Sequence, residues 1–186
     1  MEKLLKRKEA TGALGYMMIF GMAIIMVITT LYMVQVAKLV THRYEVDDAL
    51  ADSVLASLVA DDEYYFSTYE MTGTPVVRFR NRDESYRIYK ECMNAAVSNT
   101  DGFYYNFVFD VFILYEVEGN NVRVTTYSST GSRSTSNTTL GAAYTPDGTL
   151  VSKTSVYGRV KFDIKSILDG SYITKTRDLY CTFEIN

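Results

Sequence analysis

The distribution of apolar and polar positions divides the chain sharply. Ala13 to Ala37, ALGYMMIFGMAIIMVITTLYMVQVA, contains no charged side chain. At 1.5 Å of rise per residue a helix of this length spans roughly 37 Å, more than the ~30 Å hydrocarbon core of a bilayer, so the segment reads as a transmembrane helix. Thr29 and Thr30 can return their hydroxyls to carbonyls one turn earlier, and Gln35 falls near an interface. From Tyr44 to Ala60 the pattern changes to a helical stripe, with Val46, Ala49, Leu50, Ser53, Val54, Ser57 and Leu58 on one face and Asp47, Asp48 and Asp52 on the wet side. No proline or glycine intervenes over residues 38–43, so the two segments are expected to form one helix of about 45 residues. It should stop at or before Asp61-Asp62-Glu63, whose charge opposes the negative end of the helix dipole.

Beyond this helix the periodicity shortens. Tyr64 to Thr74 is aromatic without a clear period and ends in Gly73-Thr74-Pro75, which predicts irregular chain before a short strand at 76–80. A second helix is expected to start with Asp83 as N-cap and to run to Val97, with Ile88, Cys92, Ala95 and Ala96 on one face. Period two is clearest from Phe103 to Glu118, where every odd position is apolar or aromatic; a strand this long is expected to bend or carry a bulge. Gly119-Asn120-Asn121 turns it into a partner strand, 122–128. Ser128 to Gly141 is nearly free of apolar residues and reads as a mobile loop. Pro146-Asp147-Gly148 marks a turn, and Asp169-Gly170 joins two further strands, 156–164 and 172–185. The result is an α+β fold, a long N-terminal transmembrane and amphipathic helix packed on an antiparallel sheet of four or five strands with one apolar face.

Charge orients this arrangement. Lys3, Lys6, Arg7 and Lys8 precede the apolar run, whereas residues 44–186 carry 13 basic and 20 acidic side chains, a balance of −7. The positive-inside rule places the basic leader, 1–12, in the cytoplasm and the acidic domain, 63–186, outside, with the span at 13–37 and its helical extension at 38–62. A cleavable signal peptide shares the basic start, but its apolar core is usually about 7 to 15 residues. An acidic ectodomain argues against nucleic acid as a partner. The only cysteines, Cys92 and Cys181, are both assigned to the outer part. A bridge closing a loop of roughly 89 residues would contribute about 4 to 5 kcal/mol, and two buried free thiols are the equal alternative.

Little else in the chain carries chemistry. His42 is the single histidine and has no nucleophile or carboxylate that proximity supports, and neither Gly-x-Ser-x-Gly nor a glycine-rich phosphate loop occurs. Asp61-Asp62-Glu63 clusters oxygens but lacks the alternating spacing and glycine of an EF-hand loop. The methionines at 17, 18, 22, 26 and 33 suit deformable packing better than soft-metal transport. Asn137-Thr138-Thr139 matches the glycosylation acceptor pattern, a short pattern frequent by chance. The expectation is a protein that is not an enzyme and that needs no cofactor and no metal.

Taken together, the leader LLKRKEATG, the apolar run from Ala13 and the helix EVDDALADSVLASLVAD resemble the amino terminus of the TadE-like and TadG-like pseudopilins of tight-adherence pili. The resemblance covers about the first third of the chain. It implies a pilin-like, membrane-anchored structural subunit of a pilus or secretion-type assembly, whose partners are the lipid bilayer and other pilin-like subunits or assembly proteins. It also implies leader cleavage after Gly12 or Gly15, although the glutamate that such a family carries at the fifth position of the processed chain would here be Met17 or Phe20. A single-pass adhesin or ligand-binding protein, using the 128–141 loop, is the alternative.

Overall fold

The computed structural model describes residues 2–100, 102–166 and 170–183, with side chains from Gly12 onward. Asp169, assigned above to a turn, and Ile185, at the end of the last expected strand, lie outside the described residues, as do the leader's side chains. The chain forms two units, Met1–Arg43 and Tyr44–Asn186. The first is wholly helical in its described part. It belongs to α1, Glu2–Ala56, which continues unbroken into the second unit and ends before residue 62.

In the second unit, α2 (Asp62–Thr72) and α3 (Arg82–Ser98) precede β1 (Tyr105–Glu118), β2 (Asn121–Ser128), β3 (Arg133–Thr139), β4 (Ser155–Lys165) and β5 (Tyr172–Thr182). The strands make one antiparallel sheet in the order β3-β2-β1-β4-β5. One face carries Phe112, Leu114, Tyr127, Val156, Val160 and Phe162, and it is covered by Val46, Leu50 and Val54 of α1 and by Tyr89 and Met93 of α3. The α+β architecture expected from periodicity is therefore present, and the stripe of α1 packs where its spacing put it.

At Gly158 in β4 both helices rest closely on the sheet. A Cβ placed there would lie 2.9 Å from Val54 Cγ2 and 3.0 Å from Tyr89 Cε2. The glycine lets a helix side chain and an aromatic ring rest on sheet backbone. The Tyr89 ring stacks on Phe112 with centroids 4.6 Å apart, and Tyr86 stacks on Tyr127 at 4.4 Å.

Several local expectations are corrected. Residues 62–72 form a helix, because Asp61 accepts the Tyr64 N–H at its start and Gly73 closes it at φ 69°, donating its N–H to the Tyr69 carbonyl. The 76–80 segment is extended but makes only the isolated bridge Ala60↔Phe79. Asn81, not Asp83, caps α3, accepting the Asp83 and Glu84 N–H groups; the buried stripe is Ser85, Tyr89 and Met93. The 128–141 stretch is no loop throughout, since β3 pairs with β2 from Asn121↔Thr139 to Tyr127↔Arg133.

The single apolar face is also corrected. The β1–β4 register shifts between Phe109 and Val111, so Asp110 is an extra residue and the inward phase changes from odd to even. Phe107 and Phe109 pack against the helix-side core before the shift, Phe112 and Leu114 after it. The odd residues Ile113 and Tyr115 thereby reach the opposite face, where Val122 and Tyr157 join them under Ala143 and Val151 of the β3–β4 connection. Thr145 and Asp147 hold that connection's turn, which contains Gly148 at φ 89°.

Candidate functional site

The apolar part of α1 is the feature with least to hold it within the chain. Leu14, Met18, Ile25, Ile28, Leu31 and Val34 each expose about 60% or more of their surface, and helix 12–56 contains a segment long and apolar enough to cross a membrane. Transferring so many large side chains from water to lipid is worth on the order of 20 kcal/mol, far more than any surface contact could offset. Thr29 and Thr30 donate their hydroxyls to the Ile25 and Met26 carbonyls at 2.8 Å, which removes two polar groups from the helix surface. Tyr16 and Tyr32 are exposed near the two ends of the run, as ring systems with one wet atom are at bilayer interfaces. Gly12 and Gly15, the two candidate cleavage positions, lie on α1 with nothing within 4 Å of an added Cβ.

In the second unit, a cleft of about 350 Å³ opens between α1 and the carboxyl end of α3. Val46, Ala49, Val97 and Tyr104 form its apolar floor, and Glu45, Asp48 and Asp52 line its α1 wall. The last turn of α3 carries no basic residue, so the negative end of its dipole adds to the same field. The Tyr104 phenol is pushed above its usual range, by burial first and then by Glu45 and Asp47, with Arg177 opposing. Asp48 and Asp52 were read from the sequence only as a wet face; their i,i+4 spacing was the available signal for a shared wall.

A second cleft, of about 340 Å³, is polar. Buried Glu116 at its base accepts the Phe79 N–H at 3.1 Å and the Arg82 Nε–H at 2.6 Å. Arg78 lies 3.4 Å over the Tyr64 ring and pairs with Asp61 at 3.3 Å. Asp61 thus serves both as the cap of α2 and as the partner of the Arg78 guanidinium. Among the described residues, no group of three or more His, Cys, Asp and Glu side chains is placed to hold a metal ion. Cys92 and Cys181 are both free and half-buried in this structure, and burial pushes the Cys181 thiol up. Asn137 is exposed on edge strand β3.

No protein-family model, no curated protein and no solved structure matches this chain.

Proposed function

We propose that this protein is a membrane-anchored, pilin-like structural subunit of a pilus or secretion-type assembly, with its amino terminus in the cytoplasm and its sheet domain outside. The observation that carries the proposal is the uninterrupted exposure of the apolar side chains between Leu14 and Val34. Such a surface needs lipid, and it can exchange lipid for like helices when copies assemble, since both environments are apolar and side-chain packing supplies the difference. The basic leader and the acidic outer domain support the orientation. The resemblance of the first third to TadE-like and TadG-like pseudopilins supports the assembly role. The adhesin alternative drew on a mobile loop at 128–141, much of which is strand β3.

The test is lysine-reactive cross-linking of the full chain in its native membrane, combined with protease digestion from each side. A structural subunit yields copies linked to one another or to assembly proteins, with the 63–186 domain digested only from outside. A chain that stays uncross-linked at every reagent length, or whose sheet domain is cut only from the cytoplasmic side, refutes the proposal.

A further inference from the structure

The polar cleft is floored by side chains that stand in rows across neighbouring strands. Glu116 of β1 is in register with Arg123 of β2, and Arg123 with Asn137 of β3; in the next row on that side Glu118 is in register with Asn121. Cross-strand partners share a face of the sheet, so both rows point the same way, and all of these residues line the cleft of about 340 Å³. Arg123 has Glu116 directly opposite, yet that carboxylate is already taken. Its Oε1 accepts the Phe79 N–H at 3.1 Å and its Oε2 the Arg82 Nε–H at 2.6 Å. Arg78, also on the cleft, is paired with Asp61. Among the described residues Arg123 is left exposed, with neither an ion pair nor a side-chain hydrogen bond. Glu118 receives only the Tyr64 hydroxyl, at 3.4 Å.

We infer that this cleft binds a hydroxyl-rich carboxylate, of the class of an acidic saccharide residue, with its carboxylate on Arg123 and its hydroxyls on Asn121, Asn137 and Glu118. A guanidinium fork meets a carboxylate through two parallel N–H···O bonds, and Arg123 has its fork uncommitted. Side-chain amides both donate and accept, as sugar hydroxyls do, and hydroxyls supply the donors that Glu118 lacks. Half-buried Val76 and Val77 give the wall an apolar part on which the C–H face of a sugar ring can lie. Inorganic phosphate suits the cleft less, because Glu116 and Glu118 repel a doubly charged anion. A volume of about 340 Å³ is at the small end for ligand clefts. The floor is strand, so its polar groups keep their spacing, and β3, which buries no side chain, gains a use in carrying Asn137 into the second row position beside Arg123. The site lies within one copy of the second unit and is independent of the assembly reading.

The test is saturation-transfer NMR on the full chain in bilayer discs, with glucuronate as the probe and glucose, acetate and inorganic phosphate as comparators. The expected result is saturable transfer to glucuronate, with a dissociation constant at least about tenfold below those of glucose and acetate, and no displacement of glucuronate by an equal concentration of phosphate. Arg123→Gln weakens glucuronate binding about tenfold or more, and Asn137→Ala about three- to fivefold. Both side chains are exposed, so both variants keep the unfolding midpoint of the parent. Lys175→Gln, which removes an exposed cation from β5 at the other edge of the sheet, leaves binding unchanged and separates a fitted site from general attraction. No transfer to glucuronate, binding matched by glucose or by acetate, displacement by equal phosphate, or full binding in both R123Q and N137A overturns the inference. Each of these results leaves the assembly reading standing, since that reading is decided by cross-linking between copies.

Discussion

Replacing Gly158 with alanine probes how closely the helices and the sheet are fitted. The new methyl would sit 2.9 Å from Val54 Cγ2 and 3.0 and 3.3 Å from Tyr89 Cε2 and Cζ. Neither neighbour gives easily: valine is held to one χ1 well in a helix, and the Tyr89 ring is stacked on Phe112. Overpacking of this kind costs about 1–3 kcal/mol, while alanine in place of glycine within an element returns about 0.5–1 kcal/mol. The net expectation is a loss of about 1–2 kcal/mol, or a midpoint lower by roughly 3–8 °C for a domain of this size. Thermal unfolding of the full chain in bilayer discs, followed by tyrosine near-ultraviolet circular dichroism, measures it. The double variant G158A/V54A should recover less than the full loss, because Tyr89 remains in contact. A G158A midpoint equal to or above that of the parent would refute the close approach of α1 and α3 to β4.

Glu116→Ala removes the acceptor of both the Phe79 N–H and the half-buried Arg82, and a loss of about 2–3 kcal/mol is expected in the same unfolding assay, with Glu116→Gln retaining part of it. Asp83 is held below the usual carboxylate range, first by the Tyr127 hydroxyl and then by Arg133. A lowered folded pKa stabilises above the unfolded value, near pH 4, and that stability is lost as pH falls through the folded value. Asp83→Asn should therefore flatten the acid limb of a stability profile below about pH 4 while leaving its slope from pH 6 to 8 unchanged. Gly73→Ala forces a Cβ into the left-handed conformation that closes α2 and should lower stability by about 1 kcal/mol, read from amide exchange along 62–72. Amide exchange over 133–139 should show protection on alternate residues, the mark of an edge strand; uniform fast exchange would return that stretch to a loop.

Where burial follows a simple period, the chain could be read without a structure. The stripe of α1 and the strands β1, β2 and β4 came from spacing, because each buries side chains at a regular period; β5 half-buries Leu179 and Cys181 at the same period, and the apolar run was legible from its length without charge. The misses share a physical cause, which is order without such burial. Strand β3 buries no side chain and is held by its backbone bonds to β2, so hydrophobic pattern is silent there. Helix α2 likewise has no fully buried residue; its signals were the caps Asp61 and Gly73, and the acidic run had been read as the end of one helix rather than the start of the next. Asp83 looked like a cap, but its carboxylate is taken by Tyr127 and Arg133 from the sheet, a partnership no local pattern reveals. The extra residue Asp110 reverses the inward phase of β1, and its carboxylate meets Arg159 and Lys161 at 2.6 and 2.8 Å. That change turned an alternation suited to one buried face into a strand buried on both. The clefts were legible only as separate residues, because each draws its walls from segments distant in sequence.

The most direct test of membrane anchoring through α1 is the intact mass of the protein extracted from its native membrane. The prediction is a chain that keeps Ala13–Ala37 nearly whole, either entire or shortened only through Gly12 or Gly15. A mass lacking everything through about Ala37 would show a released soluble domain and would contradict the anchor and the assembly built on it.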